Sequence, residues 1–111
     1  MNEKHAGDYS ESSFWKKARG SLKTAGREVL EKALWLFYAL QRDSTPAWAK
    51  AAIIGALGYF ISPIDAIPDM VPVAGFTDDL GILVAAVGAV AAHIDGEVKS
   101  LAAKKLADWG V

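Results

Sequence analysis

Four aspartates lie close together near the middle of the chain: Asp65, Asp69, Asp78 and Asp79. Carboxylate oxygens converging on one turn are the donor set that hard cations such as Mg2+ or Ca2+ select. Asp65 and Asp69 are four residues apart, and a turn behind Pro68 would carry them toward Asp78 and Asp79. The spacing fits no EF-hand loop. Each aspartate also has a structural job that needs no ion. Asp65 can complete a capping box opened by Ser62, and Asp69 suits a turn after Pro68. Asp78 and Asp79 complement a helix dipole from its first turn. Capping takes precedence; a divalent-cation site on the four aspartates competes with it, and a docking surface for a basic partner is the third reading.

Other reactive constellations are missing. The chain has no cysteine, which excludes disulfides, thiolate metal sites and thiol catalysis. His5 and His93 are each isolated, His5 in a polar N-terminal stretch and His93 toward the end of an apolar segment. Ser62 is better explained as a cap than as a nucleophile, and the ten glycines are scattered rather than gathered in a phosphate-binding loop. The residues thus point away from an enzyme and toward no catalytic group and no cofactor.

The elements that must position these residues are helices. Phe14, Ala18, Leu22, Ala25, Val29, Ala33, Leu36 and Leu40 recur at spacings of three and four, which predicts a first helix from Ser12 or Ser13 to about Arg42. Gly20 and Gly26 weaken its first half by roughly 1 kcal/mol each. Thr45 is expected to cap a second helix, with Pro46 at its first position, over Ala47 to Ile61. That helix is apolar nearly all round, so it is either central in a bundle or in contact with lipid. Pro63, Pro68 and Pro72 interrupt helix, and Thr77 is expected to cap a third one ending near Ile94 at Asp95-Gly96. A fourth spans about Glu97 to Trp109. The predicted fold is all-α: a small domain of about four helices around a central antiparallel apolar hairpin, Ala47–Ile61 against Asp78–Ile94. Residues 1–12 read as a disordered tail and 13–111 as a single helical domain.

Composition agrees with one small domain. The 111 residues are 52% hydrophobic and 23% charged, with mean hydropathy +0.19 and net charge −1. The charge is unevenly spread. Ser12 to Arg42 carries seven basic and two acidic residues, whereas Ala51 to Ile94 carries four aspartates and no basic residue. The N-terminus shows no apolar signal segment.

The stretch from Tyr59 through Ser62-Pro63-Ile64-Asp65-Ala66-Ile67-Pro68-Asp69, Pro72, Gly75 and Asp78-Asp79 to Leu80 resembles the YkvA-like family, a bacterial and plant family of unknown function. Ala66 replaces a commoner leucine and Met70 a commoner aromatic; no polar hallmark is lost. The likeness covers about residues 33–94. It implies a helical hairpin whose relatives are often described as membrane proteins, and it implies no reaction.

Length argues against a comfortable membrane span: fifteen residues of helix reach roughly 22 Å, against a hydrocarbon core of about 30 Å. Small residues at four-residue spacing (Ala51 and Gly55; Gly81, Ala85 and Ala89) suit close packing of the two hairpin helices. Basic flanks around an acidic turn match a hairpin with cytoplasmic termini. Trp48, Tyr59 and Phe60 are candidate anchors, and Phe14 and Trp15 open a basic helix suited to an anionic surface. Trp15, Lys16, Lys17, Arg19, Lys23 and Arg27 could follow a phosphate backbone, but no base-reading motif accompanies them, so nucleic acid is an unlikely partner. The leading expectation is a non-enzymatic, membrane-associated helical module whose partner is lipid or another helical protein. The alternatives are a soluble cytoplasmic interaction domain that forms a homo-oligomer, and a cation-binding protein.

Overall fold

Ser10 sits in extended backbone, and its hydroxyl oxygen accepts the Ser13 N–H at 3.1 Å, which opens a helix at Glu11. The computed structural model describes residues 9–22, 26–61 and 72–110, and over 72–79 the helix without its side chains. The described residues form five α-helices: α1 Glu11–Gly20, α2 Arg27–Leu40, α3 Ala47–Ile61, α4 Pro72–Ala89 and α5 Gly96–Asp108. A short 3-10 turn, Ala91–His93, separates α4 from α5. No strand occurs among them, so the all-α class stands. The expected tail falls mostly on residues 1–8, outside the described ones.

The long first helix of the sequence reading is two helices. Gly26 has φ −69° and ψ 160°, extended backbone, and its carbonyl accepts from Val29 and Leu30 to start α2. The reason for the break is tertiary. Twenty-three residues of unbroken helix would hold Phe14 and Phe37 about 34 Å apart. Instead α1 folds back, and the two rings lie parallel with centroids 4.5 Å apart. Phe60 of α3 stands 6.2 Å from Phe14, and Trp15 packs edge-on to Phe37 at 4.7 Å. Burying these rings together outweighs the helix bonds lost at two glycines.

α3 has the predicted bounds, but its start is built differently. Pro46 precedes the helix, and its carbonyl accepts the Lys50 N–H at 2.9 Å. Thr45 does not cap α3; its buried hydroxyl donates to the Ala39 carbonyl at 2.7 Å and closes the end of α2. α4 starts at Pro72, five residues before Thr77, because proline at the first helical position gives up an N–H that has no intrahelical partner there. Thr77 is therefore inside α4, not its cap. Asp95-Gly96 does not close that helix with a left-handed glycine either: among the described residues only Gly110 has positive φ. Asp95 instead caps α5, accepting the Val98 N–H at 3.0 Å.

α2 is the helix the others share. It packs against α3, α4 and α5, while α3 also meets α4 and α1. Leu30, Ala33, Leu34 and Leu36 of α2 are fully buried with Ile53 and Leu57 of α3, Leu83 of α4, and Val98, Ala102 and Leu106 of α5. The expected pairing of α3 with α4 is present, braced by α2 along both. Arg42, just past α2, reaches Asp95 at 3.0 Å and Glu97 at 2.9 Å. These pairs are partly exposed, and such pairs contribute under about 1 kcal/mol each.

Phe14→Ala should cost about 3–5 kcal/mol, because it removes a fully buried ring that three helices share. Urea unfolding followed by circular dichroism measures it; a loss below about 1 kcal/mol would contradict this packing, and exposed Lys16→Ala should change stability by less than about 0.5 kcal/mol.

Candidate contact surface

Of the four aspartates, Asp65 and Asp69 lie outside the described residues. Asp78 and Asp79 lie within α4, beyond its first turn, in the segment whose side chains are not described. Among the described residues no group of three or more histidine or acidic side chains gathers as a metal site would.

α3 resolves the choice between bundle and lipid in favour of the bundle. Ala49, Ile53, Ala56, Leu57 and Phe60 are all fully buried between neighbouring helices. Phe60 is thus no lipid anchor, and Tyr59 is half-buried with an interaction of its own. Phe14, proposed for a membrane surface, is also fully buried. Of the proposed anchors Trp48 alone is prominent, 59% exposed, with its ring 6.0 Å from the His93 ring. No helix among the described residues is long and apolar enough to cross a membrane.

α4 has two faces. Leu83, Ala86 and Val90 point into the core. Gly81, Val84, Ala85, Gly88 and Ala89 are exposed, with Val84 at 47%. The small residues expected to bring α3 and α4 together thus lie on the outside of α4. A Cβ added at Gly81 or Gly88 would meet nothing within 4 Å, so neither glycine makes room for a neighbour in this chain. No charged residue interrupts Leu80 to Ile94 apart from any proton on His93. Size alone does not separate the two faces, since Val84 points outward and Ala86 inward.

Aromatic rings on the α1, α2 and α5 side are interleaved with lysine. Lys32 and Lys99 ammonium groups lie 4.3 and 5.0 Å from the centre of Trp35, and Lys105 lies 5.2 Å from that of Trp15. Lys32 also pairs with Glu31 at 3.1 Å. Trp15 meets Trp109 edge-on at 5.9 Å and Tyr38 at 6.4 Å. The Lys32–Trp35 pair follows from i,i+3 spacing on one helix. The α5 partners need tertiary structure, and sequence reasoning missed them.

Two phenols here are harder to ionise than usual. Burial raises the Tyr38 pKa, and the Asp108 charge raises it further. Burial and Glu11 raise that of Tyr9, against a hydrogen bond with Gln41 that lowers it.

A small helical globule with a helix face that is exposed and uncharged over residues 81–89, and a lysine–aromatic side, is the class of protein that fold and surface define. Residues 49–85, about a third of the chain, match the family model described as Protein of unknown function (DUF1232). That segment runs from α3 into α4 and includes residues 62–71, with Pro63 and Pro68, and the match supports a domain-of-unknown-function family for it. Neither a curated protein nor a solved structure matched the chain.

Two outcomes follow from these contacts. Asp95→Ala removes a cap and the Arg42 contact and should cost about 1–2 kcal/mol in urea unfolding, while Asp95→Asn should recover most of it because the amide oxygen still caps. Raised phenol pKa values favour the neutral ring in the folded state. Their contribution is therefore complete below the unfolded pKa of about 10 and is lost as pH rises through the folded value. Stability should fall as pH rises above about 10, and Tyr38→Phe should flatten that fall; an unchanged slope would remove Tyr38 as a cause.

Proposed function

We propose that this chain is a non-catalytic contact module held at the cytoplasmic face of a membrane, where the outer side of α4 receives an apolar helix of a partner or of a second copy. The observation that carries this reading is the exposed, uncharged face made by Gly81, Val84, Ala85, Gly88 and Ala89. A helix face turned to water ordinarily carries charge. Small residues let a second backbone approach closely, and Trp48, on the adjacent helix α3, adds an exposed amphipathic ring. A lipid surface fits this face less well than a helix does, because glycine and alanine offer little apolar area to bury.

The membrane half of the reading draws support from the likeness of Tyr59–Leu80 to the YkvA-like family, an assignment that overlaps the matched residues 49–85. It draws support as well from basic flanks around an acidic turn. With α3 enclosed by its neighbours, attachment would be peripheral rather than by insertion.

After cell lysis the protein should pellet with membranes and come off in alkaline carbonate. Retention through carbonate would mean an inserted hairpin, and recovery in the soluble fraction from the outset would end the membrane half of the proposal. Val84→Glu should lower the pelleted fraction severalfold while leaving thermal stability within about 0.5 kcal/mol, since the site is exposed. An unaffected pellet would remove the α4 face from the reading.

A further inference from the structure

Positive charge is concentrated on one set of helices. α1, α2 and α5 together carry eight basic and five acidic side chains, whereas α3 and α4 carry Lys50 against Asp78 and Asp79. On the basic set, three lysine ammonium groups sit over indole rings: Lys32 and Lys99 over Trp35, and Lys105 over Trp15. Trp15 in turn touches Trp109 and Tyr38 by its edges. Trp15, Trp35, Tyr38 and Trp109 are all half-buried, packed against the core on one side and open on the other. Close ammonium–ring pairs of this kind occur about once per 70–80 residues in proteins generally. The group is therefore denser than packing alone supplies in a chain of 111 residues.

A half-buried indole with a lysine stem along it has the chemistry of a membrane–water boundary. The ring body stays apolar, its N–H reaches polar groups, and the ammonium extends toward anions. Acidic neighbours are few on this band: Glu31 pairs with Lys32, and Asp108 lies next to Trp109. Single-stranded nucleic acid fits it poorly. Base stacking needs an open ring face, and ammonium groups cover a face of Trp35 and of Trp15.

We propose that this lysine–tryptophan band across α2, α5 and α1 docks the protein on an anionic phospholipid surface. Lys99 and Lys105 meet headgroup phosphates and carboxylates, Lys32 shares its charge with Glu31, and Trp15, Trp35 and Trp109 lie at headgroup depth. The proposal rests on the reading of the chain as a module held at a membrane and assigns lipid contact to helices other than α4.

The test uses the full chain with vesicles of phosphatidylcholine alone and of phosphatidylcholine with phosphatidylserine, read by sedimentation and tryptophan emission. Binding should require phosphatidylserine, shift the emission to the blue and be reversed by salt. Replacing Lys99 and Lys105 together by glutamine should weaken partition by more than tenfold, about fivefold for each charge, whereas arginine at both should retain it. Circular dichroism and the urea midpoint of the glutamine variant should match those of the unaltered chain. Equal binding to both vesicle types, binding to neither, or full binding by the glutamine variant would each overturn the proposal. Binding to a single-stranded oligonucleotide but not to vesicles would overturn it in favour of nucleic acid. Val84→Glu should bind vesicles normally. Failure on vesicles, with cellular membrane retention that Val84→Glu abolishes, would reject this surface and leave the contact-module reading intact.

Discussion

The Phe14 ring lies flat on Phe37 at 4.5 Å and against Phe60 at 6.2 Å, and none of its surface reaches water. That seat ties α1 to α2 and α3 at once. To reach it, the chain must break its first helix at the two glycines and turn back. Once α1 lies there, Trp15 falls beside Trp109 and the C-terminal helix gains an aromatic contact at its far end. A chain of this length buries a limited fraction of its surface, so a shared aromatic seat is a large part of what holds it together.

α2 carries the consequence. It presents buried residues to α3, α4 and α5, and keeps Lys32, Trp35 and Tyr38 half-buried on its open side. Its end is held by three polar contacts: the Thr45 hydroxyl on the Ala39 carbonyl, and Arg42 on Asp95 and Glu97. Asp95 serves two helices, since the carboxylate that receives Arg42 also accepts the Val98 N–H. Asp95 thus ties the start of α5 to the end of α2, while buried Val98, Ala102 and Leu106 seat the rest of α5, and the lysines that α5 lays over Trp35 and Trp15 follow from that seating.

α3 and α4 show how similar composition is used differently. Both carry few charges, yet α3 is buried along most of its length, with Trp48 exposed near its start, and α4 has an open side. The difference comes from neighbours. α3 is contacted by α1, α2 and α4, whereas α4 is contacted by α2 and α3 alone among the strongly packed pairs. Apolar content along a helix states how much surface prefers to leave water; it does not state whether another part of the same chain will cover it.

Helical class, the bounds of α3, a helix after residue 96 and a core stripe containing Ala18, Val29, Ala33 and Leu36 were legible in the sequence, because they follow from 3.6-residue periodicity and proline placement acting over a few neighbours. The absence of any thiol chemistry was legible for the same local reason. The break between α1 and α2, the diversion of Thr45 to Ala39 and the outward turn of the small residues on α4 were not. Each is settled by contacts between residues far apart in the chain, where burying one ring or satisfying one carbonyl outweighs a local preference worth about 1 kcal/mol. The roles of Asp65 and Asp69 rest on sequence alone, whereas the pairing of Lys99 and Lys105 with rings on other helices exists only because the tertiary fold brings α5 across α2 and α1.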